Sequence, residues 1–301
     1  MIIDFRLRPP ARGFLDMILF QNKERTGRIA RSLGLEPAPS FLKDSMPLLL
    51  REMDRAGISL GVIAGRRFST TLGSIPNEDI AAIVAEYPQR FVAYAGVDPS
   101  DTAKALEEID RWVKEGGFKG IVLEPGLAAT PIYCDDRRLS PLYARCAELG
   151  VPVLLMAGGN AGPDLTYSSP VALDHVAAEF PTLPLIAAHG CWPWVTQALH
   201  VAFRRLNVYI SPDMYLVNCP GWRDYVDAAN SYLQDRFLFA TAYPFLPLSE
   251  TVAHFKKLPF RREVLPKLLY GNAARLLGLA EARVARPRPA GGKRAAQKRR
   301  N

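Results

Sequence analysis

Cysteine is scarce in this chain, with four residues in 301: Cys134, Cys146, Cys191 and Cys219. They are widely spaced and form no CxxC pair, which excludes a zinc knuckle, a redox dithiol and a disulfide scaffold. We therefore expect free thiols. Cys191 follows His189 closely enough to suggest a cysteine nucleophile beside a histidine, but an unreactive buried thiol is the interpretation that we favour.

Long apolar runs are also absent. A membrane-spanning helix requires about 18 uncharged apolar residues in succession, and no such stretch occurs. The opening residues MIIDFRLRPP place Asp4 and Arg6 too early for the apolar centre of a secretory signal peptide. We therefore expect a cytoplasmic protein with no membrane partner.

Acidic residues are missing from the C-terminus. Lys and Arg outnumber Asp and Glu by 38 to 30, a formal net charge of +8. Residues 283–301 contain eight basic residues and no acid, so residues 1–282 carry a net charge of about zero. The mixture of Pro, Gly and like charges predicts a basic disordered tail. Such a tail suits an arm for nucleic acid or an acidic partner, but it lacks base-reading and stacking residues, so we favour a solvated tail.

Eight β-rich apolar runs alternate with amphipathic segments before that tail. This order is typical of a parallel sheet with crossover helices, and eight runs indicate an α/β fold, a closed (β/α)8 TIM barrel over residues 1–282. The runs are 2–7, 58–64, 91–96, 120–123, 151–156, 183–188, 208–211 and 237–240. The helical segments include 47–56, 77–86, 103–115, 139–149, 170–179 and 225–233.

The connection over residues 9–45 is longer than the usual loop of a barrel. Apolar residues between Phe14 and Phe20 predict a short helix within it. Because this extended loop follows the C-terminal end of strand one, we interpret it as an active-site lid or a dimer contact.

Charged residues alternate with apolar ones along the first strand. Residues two apart on a strand face the same side, so Asp4, Arg6 and Arg8 are predicted to face one way and the apolar residues the other. The pattern IDFRLR resembles I-D-x-H-x-H, the first strand of the amidohydrolase superfamily, whose two histidines bind a metal. In this chain both histidine positions are arginine.

Four further stretches are similar to the same superfamily, particularly to its branch that includes aminocarboxymuconate-semialdehyde decarboxylase. They are GFKGI at 117–121, AHG at 188–190, DRFLFATAYP at 235–244 and YGNAARLLGL at 270–279. Together with strand one they cover the chain to about residue 280 in the expected order. The resemblance implies a TIM barrel of the kind that hydrolyses or decarboxylates small molecules.

The resemblance also implies where a metal would be held. The two strand-one positions fall at Arg6 and Arg8, the strand-five position at Met156, the strand-six position at His189 and the strand-eight aspartate at Ala242. Of these, His189 alone is a usual metal ligand, whereas a catalytic zinc generally needs about three protein ligands. We therefore expect no cofactor, and a divalent metal such as zinc is disfavoured.

Arg6 and Arg8 are candidate substrate-binding residues. A guanidinium group binds a carboxylate or phosphate through two parallel hydrogen bonds, which indicates a small anionic molecule as the partner. The alternative is that both arginines pair structurally with Asp4, Glu124 or Asp213. We favour the interpretation that they bind an anionic ligand, because burying two inward-facing arginines without a negatively charged partner is costly.

His189 ends an apolar run and is predicted to act as a general acid or base. Glu124 and Asp213 follow the fourth and seventh runs, so both are predicted catalytic residues, as a base or as a partner of the arginines. Tyr215 and Tyr243 are candidate substrate-binding residues, with aromatic packing as the alternative.

These observations predict an amidohydrolase-like enzyme, independent of metal, that hydrolyses a lactone or amide or decarboxylates a small anionic carboxylate. The alternative is a catalytically inactive barrel that binds a small acid or a protein partner. A cluster in which Arg6, Arg8, Glu124 and Asp213 pair only with one another would weaken both interpretations. The resemblance further implies a homo-oligomer, because related barrels often pair through their outer helices.

Overall fold

A computed structural model describes residues 1–67 and 72–279. Seven strands form one parallel sheet in the order of the chain, so each strand pairs with the next one along the sequence. The strands are β1 (Ile2–Leu7), β2 (Ile58–Ala64), β3 (Phe91–Gly96), β4 (Ile121–Leu123), β5 (Val153–Met156), β6 (Leu185–Ala188) and β7 (Val208–Ser211). Consecutive parallel order requires a crossover on the outside of the sheet at every step.

Residues 237–243 link the two edges of this sheet. Phe237 pairs with Ile210 of β7, and Tyr243 pairs with Leu7 of β1, each as an isolated parallel bridge. The architecture is therefore TIM-barrel-like, as predicted, but the predicted eighth strand at 237–240 is not a regular strand. The backbone N–H of Phe239 donates to the Leu268 carbonyl (3.3 Å) rather than to a strand neighbour, which interrupts the ladder.

Helices connect the strands, and six of them lie within a few residues of the predicted helical segments. The helices after the first strand are α1 (Ile18–Gln21), α2 (Lys23–Ser32), α3 (Pro39–Leu42), α4 (Met46–Ala56), α5 (Asn77–Glu86), α6 (Thr102–Ile109), α7 (Ser140–Leu149), α8 (Pro170–Glu179), α9 (Val195–Arg204), α10 (Trp222–Ala229), α11 (Leu248–Lys257) and α12 (Asn272–Leu276). Helix α6 continues as a π-helix over Asp110–Glu115, so the predicted segment 103–115 is helical throughout.

The long connection after β1 contains α1, α2 and α3 rather than one short helix. Phe14, Met17 and Phe20 are buried in the apolar layer between the sheet and its helices. The apolar residues that predicted a helix therefore attach this connection to the core.

Two apolar layers hold the barrel together, one between sheet and helices and one inside the sheet. Ile3 and Phe5 belong to the inner layer, whereas Leu7 belongs to the outer one. The predicted strict alternation along β1 is thus wrong, because a register irregularity between Asp4 and Leu7 inserts one extra residue. The irregularity turns the end of β1 so that Arg6 and Arg8 reach the site described below.

The predicted tail at 283–301 lies outside the described residues, and the boundary at residue 282 stays a prediction. Within residues 1–67 and 72–279, no helix is long and apolar enough to cross a membrane.

Candidate active site

Buried charged side chains meet where strands β1, β2, β4, β6 and β7 end. In a TIM barrel this face carries the active site, because the loops that follow the strands converge there. The side chains are Arg6, Arg8, Arg66, Glu124, His189 and Asp213, and all six residues are buried. The structure thus brings together all three predicted catalytic residues and both predicted arginines.

Asp213 joins Arg6 to His189. Its Oδ2 accepts a hydrogen bond from Arg6 Nη1 (3.3 Å), and its Oδ1 lies 2.8 Å from His189 Nδ1. The backbone N–H of Met214 also donates to Oδ1 (2.6 Å). A carboxylate that accepts from a guanidinium and a backbone N–H orients the imidazole so that its Nδ1–H donates and Nε2 remains for a substrate.

Burial lowers the pKa of His189 below its usual 6.5, opposed by the negative charge of Asp213 and reinforced by Arg6. The imidazole is therefore neutral at pH 7. A neutral imidazole whose Nδ1–H is held by a carboxylate is a general base at Nε2.

A second cluster surrounds Glu124. Its two oxygens accept hydrogen bonds from Nε and Nη2 of Arg66, the latter at 2.8 Å. Arg8 Nη2 donates to Glu124 Oε1 (3.1 Å), and Arg8 Nε donates to the Ala64 carbonyl (3.1 Å). Sequence reasoning missed Arg66, although its place two residues after the end of β2 is a signal of the same kind as that of Glu124 after β4.

Glu124 is held in its ionised form. Burial opposes ionisation, but the positive charges of Arg66 and Arg8 outweigh burial and lower the pKa of Glu124 to about 2. Burial is also the main reason that the pKa of Arg8 lies well below its usual value, with Arg66 adding to the effect. Glu124 therefore balances buried guanidinium charge and takes up no proton near pH 7.

Arg6 is incompletely paired. Its Nε and Nη2 are buried and have no hydrogen-bond partner among the described residues. The side chain is only 2% exposed, so bulk solvent does not supply that partner. These are the same two nitrogens with which Arg66 holds both oxygens of Glu124. The arginines do pair with Asp213 and Glu124, as the structural alternative predicted, yet Arg6 keeps one bidentate edge open. We call the Nε–H and Nη2–H groups of Arg6 the open edge.

The backbone is strained where the site residues leave their strands. His189 (φ 63°), Asp213 (φ 44°) and Ala242 (φ 58°) occupy the left-handed region, which non-glycine residues rarely adopt. Each such residue costs on the order of 1–3 kcal/mol and persists when the surrounding structure over-determines it. At His189 and Asp213 the strained backbone occurs in the two residues whose side chains contact each other.

Tyr215 contacts His189 edge to face, with ring centroids 5.4 Å apart, and stacks on Trp192 at 4.7 Å. Its hydroxyl would lie 2.0 Å from a Cβ added at Gly159, so the glycine loop after β5 must lack a side chain there. The predicted residue Tyr215 thus forms one wall beside the imidazole.

Tyr243 is placed differently from the other predicted residues. Its hydroxyl lies 2.9 Å from Ser40 Oγ, which also contacts the buried carboxylate of Glu52. The side chain belongs to the outer apolar layer. Tyr243 therefore ties α3 and α4 to the segment that closes the sheet.

Asp4 does not join the arginine side chains. Its carboxylate accepts hydrogen bonds from the backbone N–H of Thr241 (3.0 Å) and of Arg6 (3.2 Å). Burial raises the pKa of Asp4 to about 6.

The Cys191 thiol is also fully buried, and burial raises its pKa far above the usual 9.0, which disfavours a nucleophilic thiolate.

Comparison with known proteins identifies relatives over most of the chain. A model of the family described as Amidohydrolase matches residues 8–279. A gamma-resorcylate decarboxylase from a Polaromonas species is 25% identical over 244 residues, which are 67% of this chain and 75% of that protein. An uncharacterised TIM-barrel protein from Bordetella bronchiseptica is 48% identical, with a TM-score of 0.90 over 92% of this chain and 98% of that one.

A dihydroxybenzoic acid decarboxylase from a Polaromonas species, solved with bound manganese and the inhibitor 2-nitroresorcinol, has the same fold. It is 19% identical, with a TM-score of 0.68 over 92% of this chain and 97% of that one. The prediction that the protein uses no cofactor is contradicted by the manganese in this neighbour. Substitutions at the implied ligand positions are weaker grounds for excluding a metal than a metal observed in the same fold.

The residues at the implied ligand positions do not fit manganese. Arg6 and Arg8 present guanidinium groups, which have no lone pair to coordinate a cation. Met156 and Ala242 present a thioether and a methyl group, whereas manganese prefers oxygen and imidazole ligands. Within residues 1–67 and 72–279, no group of three or more His, Cys, Asp and Glu side chains is arranged to hold a metal ion. A metal at this site would need ligands other than the implied ones.

Proposed function

The chain belongs to the amidohydrolase family, and from this premise we propose that it decarboxylates a small aromatic carboxylate with a ring hydroxyl beside the carboxyl group. The gamma-resorcylate decarboxylase relative supports the reaction class. The open edge of Arg6 is the observation that carries the proposal, because a buried cation with two unused donors is costly unless an anion completes it.

Arg6 binds the substrate's anionic oxygens in this proposal. Its Nε–H and Nη2–H span one carboxylate oxygen and the neighbouring ring oxygen. Negative charge moves from the carboxylate oxygen to the ring oxygen as carbon dioxide leaves. The same two N–H donors therefore stabilise the charge before and after the carbon–carbon bond breaks. Interactions that strengthen as the reaction proceeds accelerate the chemical step, whereas equal binding of both states does not.

His189 moves the proton. Its neutral Nε2 accepts the proton of the ring hydroxyl while Asp213 stabilises the imidazolium through Nδ1–H. The resulting phenolate pushes an electron pair to the ring carbon that carries the carboxylate, and that carbon takes the proton back from His189. The carbon–carbon bond then breaks, its electron pair restores the aromatic ring, and carbon dioxide and the phenolate product leave.

Glu124 positions cations and transfers no proton in this scheme, because Arg66 and Arg8 occupy its oxygens. Arg8 and Arg66 stay near the substrate as a fixed positive field. Tyr243 has no role in binding, because its hydroxyl is used by Ser40. Hydrolysis and a catalytically inactive barrel have no support from the comparisons.

The test is release of carbon dioxide from 2-hydroxybenzoate and its dihydroxy analogues, with and without added manganese. Arg6→Gln is expected to weaken binding of the carboxylate at least tenfold, since a charge-assisted bidentate pair contributes on the order of 1.5–3 kcal/mol per hydrogen bond. The exposed Arg28→Gln on α2 is the matched control and should change nothing. Failure of the wild type to release carbon dioxide from any of these acids, under either condition, would overturn the proposal.

A further inference from the structure

Ser211 is the last residue of β7 and has no role in the scheme above. Its side chain is buried, at 1% exposure, and its Oγ has no hydrogen-bond partner among the described residues. Most buried hydroxyl groups in folded proteins are satisfied, so an unpaired one requires a reason.

The sheet register places Ser211 on the inner face. Ser211 pairs with Ala188 of β6, and Ala188 belongs to the inner apolar layer. Val208 and Ile210 belong to the outer layer, so Ser211 faces the barrel interior by alternation. It therefore lies inside the barrel at the end of β7, beside the residue that precedes His189 and two residues before Asp213.

Packing does not explain the hydroxyl. Ala64 and Ala188 end β2 and β6 and also belong to the inner layer. An alanine at 211 would fill the same space without burying an unpaired polar group. Within residues 1–67 and 72–279, the inner layer holds one other unpaired hydroxyl, that of Tyr94 on β3. The tip of the Tyr94 ring lies against Gly120, which precedes β4, so that hydroxyl is at the opposite end of the barrel from the site. The Ser211 hydroxyl and the open edge of Arg6 are therefore the unpaired groups at the strand ends that form the site.

We propose that Ser211 is a specificity-determining residue that hydrogen-bonds a second hydroxyl group on the aromatic substrate. This inference rests on the proposed function, because it needs an aromatic acid held by Arg6. A serine hydroxyl both donates and accepts, so it pairs with a phenolic hydroxyl without a change of charge. A site with a buried partner for a hydroxyl discriminates strongly against the analogue that lacks it, since the partner is then left unpaired.

The experiment measures dissociation constants by calorimetry for 2-hydroxybenzoate and for its four analogues that carry a second hydroxyl at ring position 3, 4, 5 or 6. In the wild type, one analogue is expected to bind roughly tenfold more tightly than 2-hydroxybenzoate, the size of one hydrogen bond. Ser211→Ala is expected to remove that preference to within twofold while the affinity for 2-hydroxybenzoate stays unchanged.

Ser59→Ala is the matched control, because its hydroxyl lies on β2 and donates to the Ile2 carbonyl (3.1 Å). It should lower Tm and keep the preference, whereas Ser211→Ala should leave the Tm of the free protein equal or higher. A preference that persists in Ser211→Ala, or no preference in the wild type, would overturn the role of Ser211 and indicate an ordered water as its partner. Failure of the proposed function is distinguishable, because then the wild type releases no carbon dioxide from any of these acids, or 2-hydroxybenzoate binds equally well to the wild type and to Arg6→Gln.

Discussion

Asp213 is the residue on which the site's geometry depends, since it touches Arg6, His189 and its own neighbour Met214. One carboxylate therefore sets both the direction of the imidazole and the direction of the open edge. The arrangement keeps a base and an anion-binding group at fixed separation. A single side chain that serves two functional groups also makes their substitutions non-additive.

Replacing His189 tests its part in proton transfer. His189→Asn is expected to lower kcat by 10²–10⁴-fold, the usual contribution of a general acid–base residue, with little change in substrate affinity. Asparagine is chosen because it tolerates the left-handed backbone at this position. The exposed His200→Gln on α9 serves as control. Retention of more than a tenth of the wild-type kcat would contradict the role of His189.

The same residue predicts how activity depends on pH. His189 must be neutral to accept the first proton, and burial lowers its pKa below 6.5. Activity is therefore expected to be full at pH 7 and to fall as the pH drops through that lowered pKa. The measurement is kcat/KM between pH 4.5 and 8. Activity that instead falls as the pH rises through this region would show that His189 acts in its protonated form.

Glu124→Gln is expected to destabilise the fold by about 3–5 kcal/mol, because it removes the carboxylate that pairs with buried Arg8 and Arg66. The folded-state pKa of Glu124, about 2, lies below the usual 4.5, so its stabilisation is complete above pH 4.5 and is lost as the pH falls towards 2. Urea unfolding at pH 7 and pH 3 measures both effects, with the exposed Glu179→Gln as control. Equal stabilities of wild type and Glu124→Gln at pH 7 would disprove the assignment.

At the scale of elements, the loop after β5 supports the wall of the site. The backbone N–H of Gly159 donates to the Trp192 carbonyl (2.8 Å), and the stacked pair Trp192 and Tyr215 lies against His189. A glycine is required at 159 both by its positive φ and by the approach of the Tyr215 hydroxyl. The position of the Tyr215 ring therefore depends on the conformation of the loop after β5.

Gly159→Ala is expected to displace Tyr215 and to lower kcat/KM by at least tenfold, because the new Cβ would lie 2.0 Å from the hydroxyl. Gly150→Ala is a matched control, since Gly150 has φ 66° and nothing within 4 Å of the added Cβ. Both variants place a non-glycine residue at a positive φ, so both should lose stability for that reason, and thermal unfolding measures the decrease in Tm. Equal losses of activity in the two variants would show that strain, and not Tyr215, is responsible.

At the scale of the whole molecule, the closure of the sheet brings the first strand to the last strands. Phe5 and Arg8 of the β1 region donate backbone hydrogen bonds to Phe239 and Tyr243, each at 3.0 Å. The Asp4 carboxylate adds a hydrogen bond from the N–H of Thr241. Arg6 can reach Asp213 because this closure places β1 two positions from β7.

Removal of residues 283–301 is expected to leave Tm and decarboxylation unchanged. The family match ends at residue 279, and every site residue lies between Asp4 and Tyr243. The truncated chain also loses eight positive charges, so its retention on a cation exchanger should fall. A lower Tm after truncation would place part of the folded domain beyond residue 282.

The order of the elements and the residue types at the strand ends could be predicted from the chain alone. Apolar periodicity is a local property, and it correctly located the seven strands and six of the helices to within a few residues. The arginines at the positions of metal-binding histidines were visible in the same way. The resemblance to the amidohydrolase superfamily is confirmed by the family match over residues 8–279.

Which charged side chains pair with one another depends on the folded structure. Arg6 and Asp213 are 207 residues apart, and Arg8 and Glu124 are 116 apart, so no local pattern specifies their pairing. The irregularity in β1 and the contact between the Tyr243 hydroxyl and Ser40 likewise left no sign in the sequence. Whether a buried donor remains unpaired depends on every neighbour around it, and for that physical reason the open edge of Arg6 emerged only from the folded chain.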